Sequence, residues 1–348
     1  MYKVCKEGRR DIIDLMIKYG ETSFNEGLRG ACEGGHIEIV NLMLSLGADN
    51  YNRGLAGACE EGHKDLVNLM LSFGADNYNL GLASACKGGH NAVVKLMLSL
   101  GANDYNMGFR YACEGGHLEI ANLMLSLGAD NYNCGLRGAC KGGHLEIVKM
   151  MLSLGANDYN SGLCGACEGG HYQLAKMMID LGADNITEQV YNACFSGNMD
   201  IVNMILSLGG TDYNGGLVAS CRQNNIELVN MMINLGANDY NNGLINSCHN
   251  IELVKLMLSY GANNYNEGLK YATLINNIDV INLMLPLNTD NYGILGAYGN
   301  LALKIMYCRL SREVIYLPIK KEHPEYHLLK VYNKNIPDID RLINKYLF

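Results

Sequence analysis

Cysteine and histidine are the residues of this sequence whose types could hold a metal or carry a nucleophilic reaction, and both recur on one lattice. Cys5, Cys32, Cys59, Cys86, Cys113, Cys140, Cys167, Cys194, Cys221 and Cys248 follow one another at steps of 27. His36, His63, His90, His117, His144 and His171 stand four residues after six of them. A CxxxH pair invites zinc, but a structural site needs four ligands converging at about 2.0–2.3 Å. Helices packed side by side are about 8–10 Å apart, so one repeat supplies two ligands and the next is out of reach. Nucleophilic catalysis would need a partnered base and an electropositive, partly open thiol. Ten equivalent copies argue for packing instead. The lattice cysteine is read as a small core residue beside alanine, and the histidine as a helix-start residue bonded to the turn backbone. Cys134, Cys164 and Cys308 lie off the lattice, the first two expected as surface thiols. No GxxxxGK[ST], HExxH or GxSxG motif occurs. The expectation is a protein with no catalytic residue, no metal and no cofactor.

Tyrosine keeps the same step at Tyr51, Tyr78, Tyr105, Tyr132 and Tyr159, again at Tyr213 and Tyr240, and, after a step two residues shorter, at Tyr265 and Tyr292. Such a ladder could stack bases, but a single-strand groove also needs positive charge. The chain carries 27 Lys plus Arg against 35 Asp plus Glu, a net −8. The rings are therefore read as packing over the neighbouring turn, and nucleic acid is excluded as a partner. Apolar runs such as 42–46 are far shorter than the roughly 20 residues that span a bilayer. The opening residues MYKVCKEGRRD show no signal peptide. A cytoplasmic protein without a membrane or small-molecule partner is expected, its thirteen cysteines kept as thiols.

The elements that carry these residues are helix pairs. One repeat, 51–77, reads YNRGLAGACEEGHKDLVNLMLSFGADN, and ten or eleven such repeats fill the chain to about residue 290. A fixed period of this size indicates stacked supersecondary units that cannot bury their apolar faces alone. A short first helix is predicted at about 54–60, with Asn52 capping it. In the second, Ile37, Val40 and Met43 or Leu44 form the apolar stripe, and Gly47 ends the helix in the left-handed region. Gly34 and Gly35 make the turn between the helices. The remaining Gly, Asn and Ser are expected to cover much of the surface. A two-residue deletion at 248–250 is placed in a turn. The 27-residue period also falls in the leucine-rich-repeat range, but the Met and Ile variants at 176–185 and 230–239 favour helix over strand.

The stretch LRGACEGGHIEIVNLMLSLGAD, 28–49, resembles the helix pair of the ankyrin repeat, with GH at the second helix start and GAD after its end. The family's usual period is about 33, so each repeat lacks six residues, missing between Asp49 and Leu55 where the family builds its β-hairpin finger. YNxGL replaces the family's TPLH start. The resemblance implies an all-α, ankyrin-like helix-turn-helix solenoid over 1–290 with reduced β-hairpin fingers. In composition and style the short repeats look similar to those of large DNA viruses of protists, which would place the protein and its partner in host cytoplasm.

Function is sought where the repeats differ. After Tyr-Asn the variable residues include Arg53, Leu80 and Met107; after the helix-one Leu or Phe they include Arg29, Arg110, Arg137, Tyr191 and Lys270. The resemblance puts both positions on the concave side of the stack, and Arg, Tyr and apolar residues there suit anchoring of a protein partner. The expected function is a non-enzymatic protein–protein interaction scaffold. All four prolines fall after 285, and 291–348 carries a net +4 against −12 for 1–290. This segment is expected as a C-terminal helical cap, with Ile339, Leu342, Ile343 and Tyr346 on one side. The alternative is a docking segment that makes the protein a ubiquitin-ligase substrate adaptor, as in some viral members of the resembled family.

Overall fold

The computed structural model describes residues 1–18, 21–275, 277–284 and 287. Among these, every regular element is a helix, twenty-two in all, and none is a strand. The helices alternate as pairs, and the chain divides into two compact units, Met1–Asp212 and a second that begins at Tyr213. The first unit holds α1 (Tyr2–Lys6) with α2 (Arg10–Lys18), α3 (Phe24–Gly34) with α4 (Ile37–Ser45), α5 (Tyr51–Glu60) with α6 (Lys64–Ser72), and α7 (Tyr78–Gly88) with α8 (Asn91–Ser99). It continues with α9 (Tyr105–Gly115) and α10 (Leu118–Ser126), α11 (Tyr132–Gly142) and α12 (Leu145–Ser153), α13 (Tyr159–Gly169) and α14 (Tyr172–Asp180), and α15 (Gln189–Ser196) and α16 (Met199–Ser207). The second unit holds α17 (Tyr213–Arg222) with α18 (Ile226–Asn234), α19 (Tyr240–Asn246) with α20 (Ile251–Ser259), and α21 (Tyr265–Leu274) with α22 (Ile278–Met284).

In the first unit the odd-numbered helices pack on one another in succession, from α1 to α15. Several of their glycines, expected at the surface, are buried in this contact, among them Gly27, Gly30, Gly57 and Gly138. Gly27, Gly30 and Gly34 share one helix face at i, i+3 and i+7. A Cβ on Gly138 would stand 2.5 Å from the Arg110 carbonyl oxygen, and one on Gly57 3.0 Å from that of Arg29. At Gly34, Gly88, Gly115, Gly142 and Gly169 it would overlap the carbonyl oxygen of the preceding first helix outright. Gly34 thus serves close approach, while Gly35, at φ +76°, makes the turn. Leu28, Ala31 and Cys32 are fully buried beside this seam, and their counterparts Leu136, Ala139 and Cys140 likewise.

The second helix buries Ile39, Val40 and Met43, as Leu66, Val67 and Met70 do in the next repeat. Ile37, expected in the core, is half exposed, and Leu44 is only partly covered. The buried arc is centred on 39, 40 and 43, and the first residue of the helix falls outside it. Gly47 ends the helix at φ +96°.

Asn52 does not cap the first helix, which starts earlier than expected. Asn50 does, accepting from the Arg53 N–H at 3.2 Å. Asn52 closes the repeat instead: its Oδ1 accepts from the Asp76 and Asn77 N–H groups, both at 2.9 Å, and its Nδ2 donates to Asp76 at 3.0 Å. Asn25, Asn79, Asn106, Asn133 and Asn160 hold the equivalent turns. This latch secures the tight connection left by a missing finger. In the eighth pair Ile186, Thr187 and Gln189 replace Tyr, Asn and Gly, and α15 begins only at Gln189. In the second unit Asn214 and Asn241 carry the latch again. The deletion falls in the turn between α19 and α20, where α19 is shortened to seven residues. The expected C-terminal cap at 291–348, Tyr292 and Cys308 lie outside the described residues.

The seam has a measurable sign. Helix propensity alone makes Gly→Ala favourable by roughly 0.8–1 kcal/mol, whereas overpacking costs about 1–3 kcal/mol. Gly115→Ala is expected to destabilise the protein in urea denaturation; a stabilised variant would place Gly115 outside a close helix contact.

Candidate functional site: the outer face of the first helices

With one side of each first helix committed to the seam, three further positions recur from helix to helix on its outer face, most of them partly exposed although Glu33 and Ala83 are buried. The first carries Glu26, Arg53, Leu80, Met107, Cys134 and Ser161. One turn later come Arg29, Ala56, Ala83, Arg110, Arg137 and Cys164. A further turn along lies a charged row at Lys6, Glu33, Glu60, Lys87, Glu114, Lys141 and Glu168. The lattice signal for this third row was present in the sequence, directly after each Cys, but its meaning depends on which residues are neighbours in space.

The third row pairs with itself. Lys6 bonds Glu33, which also accepts from the Tyr2 hydroxyl at 2.5 Å; Lys6 lies 3.6 Å from Glu61 as well. Lys87 donates to Glu60 at 2.7 Å. Lys141 sits between Glu168 at 2.8 Å and Glu114 at 3.5 Å. Burial by itself would raise the Glu33 carboxyl, but the Lys6 and Tyr2 bonds and the nearby Arg29 outweigh it and hold it below its usual range. The Lys87 ammonium is pushed up, chiefly by its bond to Glu60.

The sequence-selected residues divide accordingly. Arg53 is ion-paired with Glu26 across one repeat. The Arg29 guanidinium lies over the Tyr2 ring, 5.2 Å from its centroid. Leu80 is half-buried and Met107 is exposed, on the adjacent helices α7 and α9. Arg110 lies over Tyr111 at 5.6 Å, and Arg137 is 3.7 Å from Glu168. The Nε atoms of both arginines are buried without a hydrogen-bond partner. The Tyr191 ring stacks on Phe195, with centroids 6.2 Å apart. Lys270 belongs to the second unit, where it pairs with Glu267 at 3.4 Å. The structure therefore brings Leu80, Met107, Arg110 and Arg137 onto three consecutive helices, with Arg29 and Arg53 on the two preceding ones.

The chemically suggestive residues are structural in their surroundings. Cys32, Cys59, Cys86, Cys113, Cys140, Cys167, Cys221 and Cys248 are buried thiols pushed up to about 12 by desolvation. Cys134 and Cys164 are partly exposed; burial raises the Cys164 thiol, against the nearby Arg137. Among the described residues no three His, Cys, Asp or Glu side chains converge to hold a metal. Three of the lattice histidines bond to the preceding repeat rather than to their own turn: the Nε2 atoms of His36, His117 and His144 lie 3.0–3.1 Å from the carbonyl oxygens of Lys6, Lys87 and Glu114. Asn198 substitutes for this contact by donating to the Gly170 carbonyl at 3.0 Å, and it caps α16 as well. The tyrosine ladder opens the first helices; Tyr51 packs on Phe73 at the far end of its own repeat, with ring centroids 5.4 Å apart. No described helix is long and apolar enough to cross a membrane.

Two outcomes test this electrostatic and thiol assignment. A carboxyl depressed in the folded state stabilises above its unfolded pKa, and that contribution is lost as pH falls through the folded one. Glu33→Gln should therefore lower the thermal midpoint at pH 7, the gap from the unsubstituted protein closing below about pH 4; a gap unchanged down to pH 3 would mean that the ionised pair is immaterial. Mass spectrometry after brief iodoacetamide treatment at pH 8 should find Cys134 and Cys164 modified before any lattice cysteine among 1–284. Equal modification of Cys59 or Cys113 in native protein would contradict their burial.

Residues 55–134 match the family described as ankyrin repeats, in three copies. No curated protein matches the chain. Among solved structures, the crystal structure of the human ASB11 ankyrin repeat domain is similar at 23% identity, covering 52% of this chain and 97% of that one with a TM-score of 0.34. Three ankyrin repeats thus occupy 55–134, and the same helix-pair unit recurs at the 27-residue period on either side of them.

Proposed function

We propose that this chain is a non-enzymatic scaffold that binds a protein partner on the outer face of its first helices. Ankyrin repeats are protein–protein interaction modules. The observation that supports this face is that the seam, latch and core residues are nearly constant from repeat to repeat, whereas Leu80, Met107, Arg110 and Arg137 vary on one continuous, solvent-accessible surface. A rigid surface of this kind loses little entropy on binding, so a few anchors suffice. Arg29, Arg53 and Tyr191 extend the surface within the first unit. Lys270 offers the equivalent position in the second unit, as a separate contact.

Affinity capture with the full chain tests the face. Met107→Ala/Arg110→Ala is expected to lose the proteins captured by the unsubstituted chain, while Glu119→Ala/Asn122→Ala, on the solvent side of α10, keeps them. Loss with the second pair alone would move the binding surface to the second helices.

A further inference from the structure

The charges on the outer face do not cancel evenly. In the third row Lys6, Lys87 and Lys141 engage the carboxylates of Glu33, Glu60 and Glu168, and Lys141 also lies 3.5 Å from one oxygen of Glu114, whose Oε2 is buried without a hydrogen-bond partner. In the other two rows of the first unit, α3 to α13, the single acid is Glu26, and Arg53 occupies it. Arg110 is left with the Tyr111 ring and no ion pair, and Arg137 shares Glu168 at 3.7 Å with the closer Lys141. Each of these two arginines also keeps a desolvated Nε–H with no acceptor. A buried donor without a partner costs about 1–3 kcal/mol, and a carboxylate is the acceptor to which a guanidinium fork donates best. The chain as a whole is acidic, at net −8. A local opening of arginines on such a chain attracts an acidic ligand without making the protein a general binder of polyanions.

The spacing narrows the ligand further. Arg110 and Arg137 occupy the same position on neighbouring helices α9 and α11, which pack directly. Packed helices are about 8–10 Å apart. A polyproline II segment advances about 3.1 Å per residue with three residues per turn, so every third side chain faces the same way at roughly 9 Å. On α7 the equivalent position is Ala83, which is buried and small, and one turn earlier on α7 and α9 stand the half-buried Leu80 and the exposed Met107. Resting on the binding face proposed above, we infer that the partner presents an extended segment with one apolar residue and two acidic residues at every third position. The apolar side chain seats on Leu80 and Met107, and the two carboxylates meet Arg110 and Arg137.

The test is a selection of random twelve-residue displayed peptides on the full chain, with subtraction on Arg110→Gln/Arg137→Gln. It is followed by fluorescence anisotropy with a labelled peptide carrying leucine, glutamate and glutamate at every third residue. The expected result is enrichment of acidic residues three apart. Affinity for the labelled peptide should fall at least about tenfold with the arginine variant, equivalent to about 1.4 kcal/mol. The same fall is expected when the peptide glutamates are glutamines, a change that leaves the fold of the protein untouched. Equal binding of acidic and glutamine peptides would overturn the inference, as would displacement of the peptide by an equimolar single-stranded oligonucleotide. Selected peptides that depend on Leu80, Met107 or Arg110 but carry no acidic pair would also overturn it while leaving the binding face in place. Absence of any peptide dependent on these residues would remove both.

Discussion

At the glycines of the seam the first helices approach so closely that there is no room for a Cβ, although Ser84 and Tyr111 stand where Gly30 does in their repeats, and much of the repeat follows from that constraint. Glycine at 27, 30 and 34 and their counterparts lets backbone meet backbone or the methionine of the paired helix. Alanine and cysteine fill what little space remains. Cysteine is here a small apolar residue that happens to carry sulfur, and its repetition reflects the size of the gap. The histidine four residues later spans to the preceding repeat and, at His36 and His117, donates its Nε2–H to a carbonyl at the end of that first helix. Asparagine can replace it at Asn198 because a carboxamide offers the same N–H while adding a helix cap.

The connection between repeats depends on a second economy. A single asparagine carboxamide takes two backbone N–H groups and gives one hydrogen to the side chain of the turn, as Asn106 does with Asp130 and Asn131. That arrangement tolerates either order of the following Asp and Asn. At 130–131 the second residue, Asn131, caps the helix; at 103–104 Asp104 does so equally well. Satisfying the turn locally, with no strand among the described residues, is what allows a 27-residue period in place of a longer one.

Once packing and latching have claimed their residues, the surface left to recognition is small. On the first helices it consists of three positions per repeat, and the third of these is occupied by its own ion pairs. These pairs are partly buried on the carboxylate side, and they place lysines rather than arginines against Glu33, Glu60 and Glu168. At Glu168 the closer group is Lys141, at 2.8 Å against 3.7 Å for Arg137.

Period, helix pairing and turn positions were legible in the sequence because each rests on local chemistry: Gly47 at a positive φ, apolar spacing in the second helix, and a deletion confined to a turn. The candidate face was legible for a related reason, since variation among otherwise constant copies marks the positions that packing does not constrain. Three assignments required the tertiary structure. Asn50 and Asn52 are the same residue type two positions apart, and only the path of the chain shows that one caps its own helix while the other holds a turn 24 residues away. The glycines carry no side chain whose pattern reveals burial, so their role emerges only with the neighbouring backbone in place. The charged row was visible as a lattice, yet whether Lys141 meets Glu168 or solvent is a matter of distance between repeats. Sequence determined which residues recur, through local conformational preference; tertiary packing decided what each recurrence touches, because the contacts that define it cross from one repeat to the next.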